Sequence, residues 1–507
     1  MVSPTTRASF MKSTTAIGLG IALLAAAALP ARAQVLEIAT DQSPVGLDPQ
    51  VATSFATQLV TSTIYEGLTA IDADLRVVPA LASSWTVADE GRTYRFQLRS
   101  GATFHNGRPL TPVDVVASIA RVRDPKTGSP YASRFTSITA VEPDGDSAVR
   151  VTLAQPSAPF LAQLAALAII PPEAVAELAR HPVGTGPFRF RDWVPDTYIA
   201  LDRNPAYWDQ GHPILAGLKF DIVPEAATRQ LGLQSGTYRM VPSLDSATAT
   251  ALQGQSRVKV LQTQDLAYSL IGLNASKPPF DKAAVREAVN LAIDRSQIVD
   301  AAYFGKAVPA GPLSPALRDW ALPVSAFDCY RTDPSKARKL LQDAGLKLPV
   351  MVTLNVLGSL QQVVDVAQVV QAQMNKAGFE VTLNVQEQGK FIQDWRGGNF
   401  EAFASLNSGG PDPDDYFGRT FATGGATNVF KYSDPKLDKI LSDARVSQDT
   451  GERKRLYDQA QRILACDGPV VHLAYGTLFT AVRADVQGYV PNPTRSLRGL
   501  RDASIGP

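Results

Sequence analysis

A mixed α/β fold built as two or more domains is what this sequence predicts, and three observations predict it. A strand–helix–strand run lies between residues 350 and 385. Short alternating strands are concentrated before residue 275, and helices with explicit start signals are spread through the chain. Of 507 residues, 474 remain after a 33-residue leader, more than one hydrophobic core usually serves.

The leader comes first. Arg7 and Lys12 precede the uncharged apolar run "IGLGIALLAAAAL" (17–29), and "ARA" (31–33) gives a small-x-small cleavage pattern, so the mature chain is expected to begin at Gln34. The run is shorter than the ~20 residues a spanning helix needs. No cysteine follows it, so the expectation is a secreted periplasmic protein, not a lipoprotein. Taking Arg7, Lys12 and Arg32 from 49 basic residues leaves 46 against 48 acidic, a net charge of −2 that points to neither nucleic acid nor an anionic membrane surface. Two cysteines, Cys329 and Cys466, read as one disulfide in an oxidising compartment, with two buried thiols as the alternative.

"TYRFQLR" (93–99) and "AVRVTL" (148–153) alternate as half-buried strands do. Thr111-Pro112 and Asp333-Pro334 each place a capping side chain before proline at the first helical position, and Asp449 with Glu452 has capping-box spacing. "VMVTLNVL" (350–357) reads as a strand buried on both faces. Val363, Ala367, Val370, Met374 and Ala377 form one helical stripe, Gly378 stops that helix, and "FEVTLNV" (379–385) alternates strictly. Together they make a βαβ unit with parallel strands.

Catalytic patterns are mostly absent: no G-x-S-x-G, H-E-x-x-H, Walker loop or C-x-x-C occurs. His105, His181, His212 and His472 are far apart and lack the spacing of a zinc site. "VGTGPF" (183–188) has two glycines where a dinucleotide fingerprint has three, and reads as a tight turn entering a strand. "GGPDPDDYFG" (409–418) lacks the alternate acids of a calcium loop. Asp412 is expected to cap a helix, with Pro413 at its first position and Asp414 and Asp415 in its first turn. The preceding "SLNSGG" (405–410) reads either as a ligand-binding loop at a strand end, with Asn407 and Ser408 as donors, or as an ordinary polar loop.

With "LDPQ" (47–50), "IYEGL" (64–68), "PALASSWTVADEGRTYRFQLRSGATFHNGRPLTPVDVVAS" (79–118), "LDRNPAYW" (201–208), "VREAVNLAIDR" (285–295), "DPDDYF" (412–417) and "YDQAQRIL" (457–464), the chain resembles the extracellular solute-binding proteins of the peptide/nickel group, family 5, from about residue 36 to 492. The resemblance implies a two-lobed periplasmic binding protein fold, type II, with the group's extra subdomain. Lobe I would hold 34–273 and 478–507, with the subdomain near 71–182, and lobe II 274–477. It implies a non-enzymatic monomer without a cofactor that captures a peptide-like or other small solute and hands it to ABC permease subunits in the inner membrane. The alternatives are a metal-chelate or haem binder of the same family, or a secreted hydrolase.

Family contacts map to Thr53, Ser54 and Phe55 and to the loop with Asn407, Ser408 and Gly409. Peptide binders of the group hold the ligand α-amine with an aspartate where this chain has Gly409, and the carboxylate with an arginine where it has Leu357 or Gly358. The tryptophan often found before the loop is Leu406. The implied expectation is weak binding of zwitterionic dipeptides, unless another acid such as Glu37 or Asp41 substitutes.

Overall fold

Two antiparallel strands of 16 and 14 residues, Val258–Leu273 and Val470–Arg483, run through one continuous mixed sheet. They are seen in a computed structural model that describes Met1, residues 34–52 and residues 54–506. The expected leader lies outside the described residues. Ordinary strands are about 5–6 residues long, so each of these two serves two sets of neighbours. At one end, Met240–Leu244 pairs with Val470–Arg483 and leads to Val35–Thr40, Gly217–Ile222, Tyr198–Arg203 and Phe188–Val194. At the other, Ala402–Ser408 pairs with Ala267–Leu273 and leads to Val350–Leu357 and Phe379–Gln386. The register between the long strands is regular from Val258/Arg483 to Gln264/Thr477, breaks, and resumes at Tyr268/Tyr475. A break of this kind re-aims the chain locally.

Apolar side chains gather on each side of the break. Leu36, Phe188, Leu218 and Phe220 lie in one core, and Val289, Leu354, Val370 and Leu473 in another. A third core belongs to a separate four-stranded antiparallel sheet that includes Thr93–Leu98 and Ala148–Leu153. Helix Pro112–Arg123 covers it with Val115 and Ile119.

The capping signals correspond to real helix starts. The Asp114 carboxylate accepts from the Thr111 backbone N–H at 2.8 Å, Asp333 from that of Lys336 at 2.9 Å, and Asp449 from that of Glu452 at 2.6 Å. The βαβ unit forms with Val350 opposite Phe379 and Leu357 opposite Gln386, in parallel. Its helix Gln361–Lys376, followed by Ala377, buries all five stripe residues, and Gly378 takes φ +96°.

Three expectations are corrected. Val350–Leu357 is not covered on both faces along its length: Met351 and Thr353 are exposed, and only the far end, from Leu354 on, has buried neighbours on both sides. "SLNS" is not loop, because Ser405–Ser408 continue the strand against Leu270–Ala267. The DPDD helix spans Asp414–Phe421 with Pro413 in the cap position, one residue later than Asp412 as its cap requires. In "VGTGPF" the glycines serve close approach: a Cβ on Gly184 or Gly186 would run into the Ile64 carbonyl, to which Gly186 donates at 2.8 Å.

Cys329 and Cys466 are bonded, with Cα atoms 5.6 Å apart and 137 residues of separation, beside buried Phe327 and Ala465. Thiol titration of unfolded, unreduced protein should find no free thiol. Replacing both cysteines by serine should cost roughly 2–4 kcal/mol in denaturant unfolding.

His472 is fully buried on the long strand, and neither ring nitrogen has a partner among the described residues. Burial, with Arg295 nearby, pushes its pKa down to about 3. The unfolded chain takes up this proton near pH 6.5 and the folded chain does not, so its contribution to stability is present above 6.5 and lost as pH falls towards 3. His472→Leu should therefore flatten the acid limb of the stability profile, by up to about 1.4 kcal/mol per pH unit in that window. Equal slopes in urea melts of the two proteins from pH 7 to 4 would contradict this.

Candidate functional site

A cavity of about 380 Å³ lies where the long strands lose register. Its floor is Asp265, Leu266 and Ala267, and it is roofed by helix Phe55–Ile64, by Tyr131 and Arg134 of the separate sheet's domain, and by the Ser408–Pro411 loop. The volume sits at the lower end of the roughly 300–1,000 Å³ typical of small-molecule sites. Its walls come from the second half's strand end at Ser408, from the extra domain, and from helix Phe55–Ile64 and the 493–498 segment, which pack on the core of the first half.

The expected site residues divide. Phe55, Ser408 and Gly409 line the cavity. Phe55 is more than half exposed at the first position of its helix, with the Arg495 guanidinium 4.6 Å from its ring centre. Ser54 is the cap of that helix: its Oγ accepts from the Thr57 N–H at 3.2 Å, so its hydroxyl is engaged locally. Asn407 turns away and donates to the Tyr268 hydroxyl at 3.2 Å. Thr53 lies outside the described residues. Leu357 and Leu406 pack against the core, and Gly358 lies against Val385. Of the acids considered as substitutes, Glu37 pairs with Arg239 at 2.9 Å, and Asp41 borders a different depression beside Asp245.

Gly409 is glycine for a packing reason. A Cβ there would overlap the ring of Tyr416, whose hydroxyl donates to the Leu266 carbonyl at 3.0 Å. Gly410 is likewise cut away, because a Cβ would strike the Asp415 carboxylate. The loop can follow this path only without side chains.

Two of the three aspartates that follow are held by arginines. Asp412 accepts from the Arg453 guanidinium at 2.8 and 2.9 Å, both side chains being buried, and its Oδ1 also takes the Asp414 N–H at 2.9 Å. Asp414 accepts from Arg445 at 3.1 and 2.9 Å. Asp415 is different. It borders the cavity, half-buried, and no described residue donates a hydrogen bond to its carboxylate. Burial pushes its pKa up to about 6, opposed by Arg134 and assisted by Asp412 and Asp414. Reading the sequence assigned Asp415 to the helix dipole. The available signal was that DPDD carries one carboxylate more than a helix start requires.

The cavity's other acids are already engaged. Glu66 is buried and accepts from Tyr207 Oη at 2.8 Å, Trp208 Nε1 at 2.8 Å and Arg498 at 3.3 Å. Asp265 accepts from Arg495 at 2.7 Å and from the Ala267 N–H at 3.1 Å. Among the described residues, no group of three or more His, Cys, Asp or Glu side chains is placed to hold a metal ion, and no helix is long and apolar enough to cross a membrane.

Residues 76–428 match the bacterial extracellular solute-binding proteins, family 5 Middle. The chain is 32% identical to a probable di/tripeptide-binding protein 5 of Pseudomonas aeruginosa over 92% of its own length and 95% of the relative's. It is 28% identical to the glutathione-binding protein GsiB of Shigella flexneri, over 95% and 96% of the two chains. Among solved structures, the periplasmic binding protein DppA of Helicobacter pylori in complex with peptide STSA superposes with a TM-score of 0.78, at 27% identity over 93% of this chain and 98% of that one.

The Asp412–Arg453 pair gives a prediction independent of any ligand. Removing one partner of a buried ion pair strands the other charge, at a cost of about 3–5 kcal/mol. Asp412→Ala should lower unfolding free energy by that amount in urea titration. A loss below about 1 kcal/mol, the range of exposed pairs, would show the pair to be solvated.

Proposed function

We propose, from the premise that this chain belongs to the bacterial extracellular solute-binding proteins of family 5, that it is the substrate-binding component of an ABC importer for short peptide-like solutes. The observation that carries the reading is the cavity itself. It lies between helix Phe55–Ile64, packed on the core of one half of the sheet, and the Ser408–Asp415 turn of the other half, and two strands join those halves, so closing one over the other buries whatever lies between them.

The lobes follow from the same observation. We keep 478–507 with 34 onward in the first lobe and the extra domain near 71–182 beside it. We set the first crossing at Asp265–Ala267 in place of 273, because Ala267–Leu273 pair with Ala402–Ser408 of the second lobe. Support for a binder over a secreted hydrolase comes from the family, whose members are solute-binding proteins. The names of the relatives, a di/tripeptide binder and a glutathione binder, support peptide-like solutes as the class. Delivery to permease subunits, a periplasmic location after removal of a leader, and a monomeric state belong to this same reading.

A solute that binds only the folded protein stabilises it by RT ln(1 + [L]/Kd), about 2.7 kcal/mol at a hundredfold excess over Kd. A thermal-shift screen of di- and tripeptides should therefore raise Tm, and the stabilising peptide should be recovered intact by mass spectrometry. Consumption of the peptide, abolished by a single side-chain substitution, would falsify the binding role.

A further inference from the structure

The cavity holds two charged side chains that the fold does not use. Asp415 enters from the second lobe, one residue after Asp414, whose N–H is already accepted by the Asp412 carboxylate from outside the helix. Arg134 enters from the extra domain, its guanidinium 5.4 Å from the ring centre of Tyr131, which itself donates to the Ala52 carbonyl at 3.1 Å. Among the described residues the Arg134 guanidinium makes no hydrogen bond or ion pair, and it does not close on Asp415. By contrast, Glu66, Asp265, Arg495 and Arg498 are matched within the protein. A half-buried charge with no partner is costly to keep. Two of opposite sign, carried by different domains and facing one cavity, mark where a ligand completes the pairing.

We propose that Asp415 and Arg134 are the two charge anchors of the solute site, Asp415 holding the ammonium group and Arg134 the carboxylate of a short zwitterionic peptide. The proposal rests on the solute-receptor reading above and names the ligand chemistry of that site. It also reverses the expectation drawn from Gly409. An acid for the amine is present, six residues further on, and Gly410 is bare so that its carboxylate fits. The volume of about 380 Å³ limits the solute to a few residues. Because the anchors sit on opposite domains, a bound zwitterion also ties those domains together, so recognition and closure are one event.

Arg419 on the same helix donates to the Ser408 carbonyl at 3.0 Å, which leaves Arg134 as the cation facing Asp415 across the cavity. Asp412 and Asp414 stand behind Asp415, neutralised by Arg453 and Arg445.

The test is calorimetry on the full protein. A panel of free dipeptides identifies the tightest binder, which is then titrated in free, N-acetylated and C-amidated forms. Charge-assisted hydrogen bonds imply a loss of about tenfold to a hundredfold in affinity for each blocked end. Asp415→Asn should weaken the free peptide by the same factor as acetylation and leave the acetylated peptide unaffected; Arg134→Gln should do the same for amidation. Comparison of the blocked and free peptides on the unaltered protein needs no variant to fold. Equal affinity for all three forms overturns the anchors while leaving a solute receptor standing. So does an Asp415→Asn protein that binds the free peptide within twofold of the parent. If no peptide of any form binds and none shifts Tm, the peptide reading fails with the anchors.

Discussion

Everything distinctive about this molecule depends on two strands that are too long for one sheet neighbourhood. Val258–Leu273 and Val470–Arg483 join two cores and do not keep one register over their whole length. The register shifts between Gln264 and Tyr268 and again between Ser269 and Leu270, and the first of these shifts borders the cavity. Backbone groups there leave the ladder, the chain bends, and the space opened is the cavity. The register break and the cavity share Asp265, Leu266 and Ala267 because they have one physical cause.

Around that break the charges sort into those that hold the fold and those that do not. Glu66 gathers Tyr207 and Trp208 from one distant part of the chain and Arg498 from another, and Asp48 accepts from Arg121 at 2.6 Å. This explains why the family-like segments "IYEGL", "RNPAYW" and "LDPQ" carry polar and aromatic residues without forming a ligand contact list. They satisfy one another in the interior, where an unpaired polar group costs more than a partnered one returns. The contacts of the extra domain with the rest of the chain are of the same kind: the Ala158 N–H donates to the Arg445 carbonyl at 2.8 Å, and Asn492 donates to the Ile71 carbonyl at 3.1 Å. The Arg445 side chain holds Asp414, so one residue meets the extra domain through its carbonyl and fixes the helix that carries Asp415 through its guanidinium.

The loop from Ser408 to Asp415 shows how packing decides the chemistry of a site. Tyr416 must bury its ring and reach the Leu266 carbonyl, which forces glycine at 409. A charged side chain at 409 and that ring cannot coexist. The carboxylate that reaches the cavity therefore comes from the first turn of the helix, over a second glycine.

The sequence by itself determined the class of the fold and most of its local elements. The helix starts at Thr111, Asp333 and Asp449, the stripe through Val370 and the stop at Gly378 are set by capping, periodicity and φ, which act within a few residues of one another. It also singled out Phe55, Ser408 and Gly409, which line the cavity, through resemblance and the small residues at a strand end. Tertiary structure alone decided the rest. That Ser405–Ser408 are strand depends on a distant partner segment, Leu270–Ala267, and not on their own weak β propensity. Asn407 is lost to Tyr268 for the same reason. Which of three adjacent aspartates faces the cavity was invisible in the sequence, because it depends on Arg445 and Arg453 arriving from other helices to claim the first two. Local rules give each aspartate the same role; only the distant arginines make them different.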